Sequence, residues 1–210
     1  MGKRNRRNRE RRQARRPAYK ESKPVILIVT EGEVTEPEYL KGFADANRNS
    51  RVDIKIVDGA GVPKTIVESA KAKKKEAEKR ARRERDDNLR YDEVWCVFDF
   101  DEHPNIPDAK QMARDNDIEV AMSNPCIELW LWLHFAEQPG MQHRDKLQSM
   151  MKQHIPNYDK HVDYSDYAEG YDAAVHRASR LDKDAEADND EGRNPTTGVW
   201  RLTDNIRSGK

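Results

Sequence analysis

Three acidic residues, Glu31, Asp99 and Asp101, stand where apolar stretches of the sequence end. Glu31 comes just after Val25-Ile26-Leu27-Ile28-Val29, with Thr30 between as the chain leaves the strand, and Asp99 and Asp101 follow Val94-Trp95-Cys96-Val97-Phe98. Continuous runs of this kind are expected of strands buried on both faces of a parallel sheet. In such sheets ligands bind at the carboxyl ends of the strands. Carboxylates gathered on one rim repel each other unless a cation sits among them. Mg2+ or Mn2+ suits all-oxygen ligands and keeps waters for a phosphate substrate. Extended backbone has period two, so Asp99 and Asp101 point to the same side and can hold one ion directly or through water. Gly32 lets the chain approach closely just after Glu31, and Glu33 and Glu36 come close behind.

Each of these residues also has a plainer reading. Acids after strands serve as helix caps and solvated turns, and Glu31-Gly32 alone is a common turn. The occurrence of both acidic groups at the ends of the two most apolar strands favours a metal site. Glu128 opens a helix otherwise made of Leu, Trp and Phe. It is either a favourable charge at a helix N-terminus or a further ligand over the rim. Asn124 is either a supporting polar group or an N-cap, and Glu36 a second ligand or a helix charge. Trp130 and Trp132 read as packing. Gly59-Ala60-Gly61-Val62-Pro63-Lys64-Thr65 ends like a phosphate-binding loop but has Pro63 where the glycine belongs. The histidines are too scattered for a zinc site, and core or surface placement is their default.

The elements that must position the rim acids follow from patterning. Thr35 is expected to cap a helix with Pro37 in its first turn and Glu38 at capping-box spacing. Val52–Val57 alternates, as a strand near a sheet edge does. Residues 64–88 read as a long charged helix, 94–98 as a strand, 107–116 as a helix and 118–122 as a strand. Cys126–Phe135 reads as an apolar helix capped by Ser123-Asn124-Pro125. The strand–helix alternation predicts an α/β fold with a parallel sheet covered by helices. Beyond residue 140 helices are expected around 147–151 and 167–181, a loop over the acidic 182–193, and a final helix opened by Asn194-Pro195-Thr196-Thr197 with Val199, Leu202 and Ile206 inward. The expected organisation is a basic disordered arm over 1–23, a core over 24–140 and a helical C-terminal extension over 141–210 packed on that core.

Charge divides the 210 residues unevenly. Lys and Arg total 39, as do Asp and Glu. Residues 1–20, however, hold ten Lys and Arg against the single acid Glu10, a local charge of +9. Arg4, Arg6, Arg7, Arg9, Arg11, Arg12, Arg15 and Arg16, interleaved with Asn and Gln, have the composition of a nucleic-acid-binding tail. Such a tail draws its affinity from counterion release and has no sequence preference. Residues 64–86 add ten basic residues against five acids, either a second phosphate-facing surface or a solvated helix face. No apolar run approaches the roughly 20 residues of a membrane span, and no hydrophobic segment directly follows the basic start as in a secretory signal. Cys96 and Cys126 both lie in apolar runs, which suggests buried, reduced thiols and a cytoplasmic setting.

Strand, Glu31-Gly32, helix, then a strand ending in Asp99-x-Asp101 resembles the Toprim domain, a Rossmann-like fold found in topoisomerases, bacterial primases, recombination proteins of the RecR type and overcoming-lysogenization-defect nucleases. Three segments look more narrowly like the RloB family of Toprim-like proteins: 29–39, VTEGEVTEPEY; 123–135, SNPCIELWLWLHF; and 194–199, NPTTGV. The resemblance covers about residues 24–206. It implies that Glu31 acts as general acid/base or metal ligand and that Asp99 and Asp101 bind Mg2+ or Mn2+. It further implies a nuclease acting on DNA or RNA, an effector in antiphage defence partnered by an AAA-type or ABC-type ATPase. A non-catalytic Toprim-like module that binds nucleic acid and docks on the ATPase is the alternative, and a phosphotransferase acting on mononucleotides a third.

Overall fold

A computed structural model describes residues 23–56, 62–100 and 106–208. In order these form β1 (Ile26–Thr30), α1 (Thr35–Ala46), β2 (Val52–Ile56), α2 (Pro63–Glu84), β3 (Glu93–Asp99), α3 (Ile106–Arg114), β4 (Glu119–Asn124), α4 (Glu128–Trp132), α5 (Arg144–Met151), α6 (Tyr171–Ala187), β5 (Thr196–Thr197) and α7 (Val199–Ser208). Residues 1–22 of the basic arm, the glycine-rich segment 57–61 and Asp101 lie outside the described residues.

β1 and β3 lack polar alternation because both sheet faces are covered there. Ile26 and Ile28 of β1, with Trp95 and Val97 of β3, face one cluster that includes Tyr39, Phe43, Trp130 and Leu202. Leu27, Val29, Cys96 and Phe98 face the other, built with Ile66 and Val67 of α2 and Ala109 of α3. Full burial of one large apolar side chain is worth about 1.5–3 kcal/mol, so the two layers fix which way each strand residue points. Cys96 and Cys126 are free and buried, as expected.

The sheet order is β2-β1-β3-β4-β5. β1 through β4 are parallel, and β5 runs antiparallel to β4. The chain leaves β1 for β2 on one side and then crosses to β3 on the other. The strand order therefore reverses between β1 and β3, the place where open α/β sheets form a ligand crevice. β2 is an edge strand, as its alternation predicts.

Five local expectations are corrected. Thr35 is not the cap of α1: Val34 holds that position without a side-chain bond. The Thr35 hydroxyl donates instead to the Lys160 carbonyl at 2.9 Å. Glu38, rather than closing a capping box, accepts from the Val162 N–H at 2.8 Å. The apolar segment 126–135 contains only a short helix, α4. The acidic stretch does not begin as a loop, because α6 starts at Tyr171 and runs on to Ala187. Buried Ala174, Ala178, Leu181 and Ala185 keep helical spacing past residue 181, and Asp182 is paired with Arg201 at 2.6 Å. Asn194-Pro195-Thr196-Thr197 does not open the last helix. Its threonines form β5, with Ser123 Oγ and Thr197 Oγ1 2.8 Å apart, and α7 begins after Gly198. Its Val199, Leu202 and Ile206 are buried as expected.

Candidate functional site

Each rim acid is delivered by a different element. Glu31 leaves β1 with its N–H still bonded to the Val97 carbonyl of β3 at 3.0 Å, so it stays at the crevice. Asp99 is the last residue of β3, aligned with Ser123 of β4. The Asp99 N–H donates to Glu31 Oε2 at 3.4 Å, which joins the two strand ends directly. Glu36 lies in the first turn of α1 and Glu128 at the start of α4, and both are buried. A Cβ at Gly32 would collide with the Glu36 carboxylate. The glycine is therefore required for the side chain to lie back over the chain, a sharper form of the close approach expected there.

These groups line one cleft. Glu31, Glu33, Glu36, Asp99 and Glu128 supply its carboxylates, and Arg144 and Lys160 its cations. Asp99 Oδ1 accepts from the Ile127 N–H at 2.9 Å, and Oδ2 from Arg144 Nη2 at 3.0 Å. Glu128 Oε1 accepts from the Tyr158 hydroxyl at 3.0 Å, while Oε2 is buried with no hydrogen-bond partner. Lys160 has left-handed backbone, with φ of 79°, held by the Thr35 hydroxyl on its carbonyl.

Electrostatics mark the same cleft. Burial, reinforced by Glu128 and Glu31, pushes the Glu36 carboxyl up to about 7. Burial, reinforced by Glu36 and Glu128, holds the Asp99 carboxyl well above the usual range against the opposing pull of Arg144. The Cys126 thiol is raised first by burial and then by Glu128 and Asp99. Groups that mutually disfavour ionisation in one cleft are a functional-site signature.

A hard, oxygen-binding cation fits this donor set. The ligands are carboxylates, and an unpaired buried oxygen on Glu128 is costly without a compensating charge or donor. Glu31, Glu36, Asp99 and Glu128 would hold such an ion. Among the described residues, however, no group of three or more His, Cys, Asp or Glu is arranged to hold one as it stands. Asp99 has both oxygens engaged by protein donors.

A family model described as RloB-like protein matches residues 26–206. The chain belongs to the RloB-like family. Comparison with the curated proteins and with the solved structures gave no match. The family match spans both the sheet and the C-terminal helices, the same extent as the resemblance carried by the sequence.

Within this RloB-like chain the structure brings together Glu31, Glu36, Asp99 and Glu128. It does not bring Asn124 into the cleft: its Nδ2 donates to the Gly192 carbonyl at 2.8 Å, a tie between β4 and the segment before β5. Nor is it a helix cap, since it ends β4. Trp130 and Trp132 are core, as expected. His134 is a satisfied core histidine. Its Nδ1 lies 2.9 Å from the Trp130 carbonyl and must carry the proton, leaving Nε2 to accept from the Tyr39 hydroxyl at 3.0 Å. Sequence reasoning missed Arg144, Lys160 and Tyr158. Each sits in a short polar stretch with no periodic or motif signal, and only the fold carries them back over the rim. Among the described residues no helix is long and apolar enough to cross a membrane.

Proposed function

We propose that this chain is a Mg2+- or Mn2+-dependent nuclease that hydrolyses phosphodiester bonds of DNA or RNA. The observation that carries the proposal is the convergence of Glu31, Glu36, Asp99 and Glu128 at the switch point between β1 and β3. A bound divalent ion would supply Lewis-acid stabilisation of the scissile phosphate. Glu31, the most accessible of the four acids, takes the proton of the attacking water or returns one to the leaving oxygen. Asp99, with Asp101 two residues on, supplies metal-binding oxygens, and Glu36 and Glu128 would be further ligands, ionised when the cation is present. The arginine arm holds the polyanion near a cleft that would otherwise repel it. The biological setting proposed, an antiphage effector acting in the cytoplasm with an AAA-type or ABC-type ATPase, is supported by family membership alone.

Incubation with plasmid, linear DNA and transfer RNA, with and without Mn2+, tests this. Cleavage that needs the ion and vanishes in Glu31→Ala and Asp99→Ala proteins is expected. Cleavage that ignores chelator, or that survives both substitutions, refutes it. One observation favours a second reading, a non-catalytic module that docks on an ATPase: both Asp99 oxygens are already bonded to protein. Calorimetry that finds no Mg2+ or Mn2+ site while partner binding is intact would select that reading.

A further inference from the structure

Arg144 opens α5, far along the chain from the strand ends it meets. Its side chain is about one-third exposed, whereas the Asp99 side chain it pairs with is nearly buried, at 36% and 12%. The pair bridges the C-terminal helices to the crevice and places a positive charge on an oxygen that a divalent ion would need. The other Asp99 oxygen accepts from the Ile127 N–H, and a guanidinium 3.0 Å from Oδ2 repels a divalent ion brought to the same carboxylate. The Arg144 side chain is part-exposed, so a polyanion entering the cleft can reach its guanidinium. Planar, permanently charged and forked, it suits a phosphate as well as a carboxylate.

We propose that Arg144 is a built-in counter-cation. It neutralises Asp99 when no ion is bound, competes with the divalent ion for Asp99 Oδ2, and on release turns to a phosphate oxygen of the nucleic acid. The inference rests on the metal-dependent reading above. It makes ion and polyanion binding mutually reinforcing, because each takes one partner of the same pair.

The test uses the full chain and the Arg144→Gln and Arg144→Lys variants, each checked by thermal melting. Mn2+ binding is read by calorimetry. Binding of a labelled oligodeoxynucleotide and its RNA counterpart is read in Ca2+. Charged hydrogen bonds set the scale at roughly tenfold or more in affinity. Arg144→Gln is expected to bind Mn2+ about tenfold more tightly than wild type and the oligonucleotide about tenfold more weakly. Arg144→Lys, which keeps the charge on a compact single nitrogen, shifts the same way by less, and decides the matter if Arg144→Gln does not fold. A merely structural role for Arg144 would weaken both ligands together. Mn2+ affinity that is unchanged or lower in a folded variant, or unaltered oligonucleotide binding, overturns the inference while leaving wild-type metal binding intact. Wild-type protein that binds neither Mn2+ nor either oligonucleotide overturns the nuclease reading itself, and this inference with it.

Discussion

Glu36→Gln should stabilise the ion-free protein, and the gain should depend on pH. Glu36 is 5% exposed, and its carboxyl is raised from 4.5 to about 7 by burial, then by Glu128 and Glu31. The folded state therefore prefers the neutral acid. Stability linked to this group is complete below pH 4.5 and is lost as pH rises through about 7. At about 1.4 kcal/mol for each tenfold change in proton affinity, the loss comes to about 3 kcal/mol. Glutamine has the same shape and no charge to lose, so the variant keeps what the wild type gives up. Relative to wild type it should gain about 3 kcal/mol between pH 4 and pH 8, or roughly 10 °C in Tm for a chain of this size. Urea denaturation at the two pH values, with chelator present, measures the difference. Adding Mn2+ at pH 8 should erase or reverse the advantage, because an ion among the carboxylates removes the repulsion that Gln relieves. An advantage equal at pH 4 and pH 8 would refute the claim that Glu36 is held neutral by its surroundings.

Two further outcomes follow from the core. His134 is held neutral, with its pKa lowered to about 4 chiefly by burial. Its contribution is present above the ordinary 6.5 and is lost as pH falls towards 4, about 3 kcal/mol in all. Ring resonances of His134 that titrate near 6.5 by NMR would contradict its buried, Nδ1-protonated state. Gly170 packs on the His134 carbonyl so closely that a Cβ would overlap it. Gly170→Ala should therefore cost about 1–3 kcal/mol in urea denaturation, the usual range for overpacking, and a variant as stable as wild type would show that α6 can shift away.

The centre of the sheet was legible because β1 and β3 are short, nearly all apolar and separated by helical patterns, and burial on both faces leaves few other solutions. Glu31 and Asp99 were legible for the same reason: they mark where the apolar runs stop. What the sequence hid is what depends on long-range closure. Thr35 and Glu38 match a capping box in spacing, yet each finds a stronger partner in the segment 160–162, which no local rule foresees. The acids of 182–187 resemble a solvated loop until Ala178, Leu181 and Ala185 are seen facing the core. Arg144 carries no signal at all, since a lone arginine opening a short helix acquires meaning only from the aspartate across the fold.

The placement of β2 and β5 at the two edges of the sheet bears on self-association. An open sheet edge is a template for pairing with another copy. β2 presents Asp53 and Lys55, paired with each other at 2.7 Å, so a second strand sliding alongside would have to displace charges from water. β5 is two residues long and offers too little ladder to recruit a partner, while beyond its reach β4 shows the exposed Glu119. Both borders of the β layer are thus defended, one by charge and one by brevity. If the arm gathers copies along a nucleic-acid polymer as proposed, that defence would limit edge-to-edge aggregation among the crowded copies.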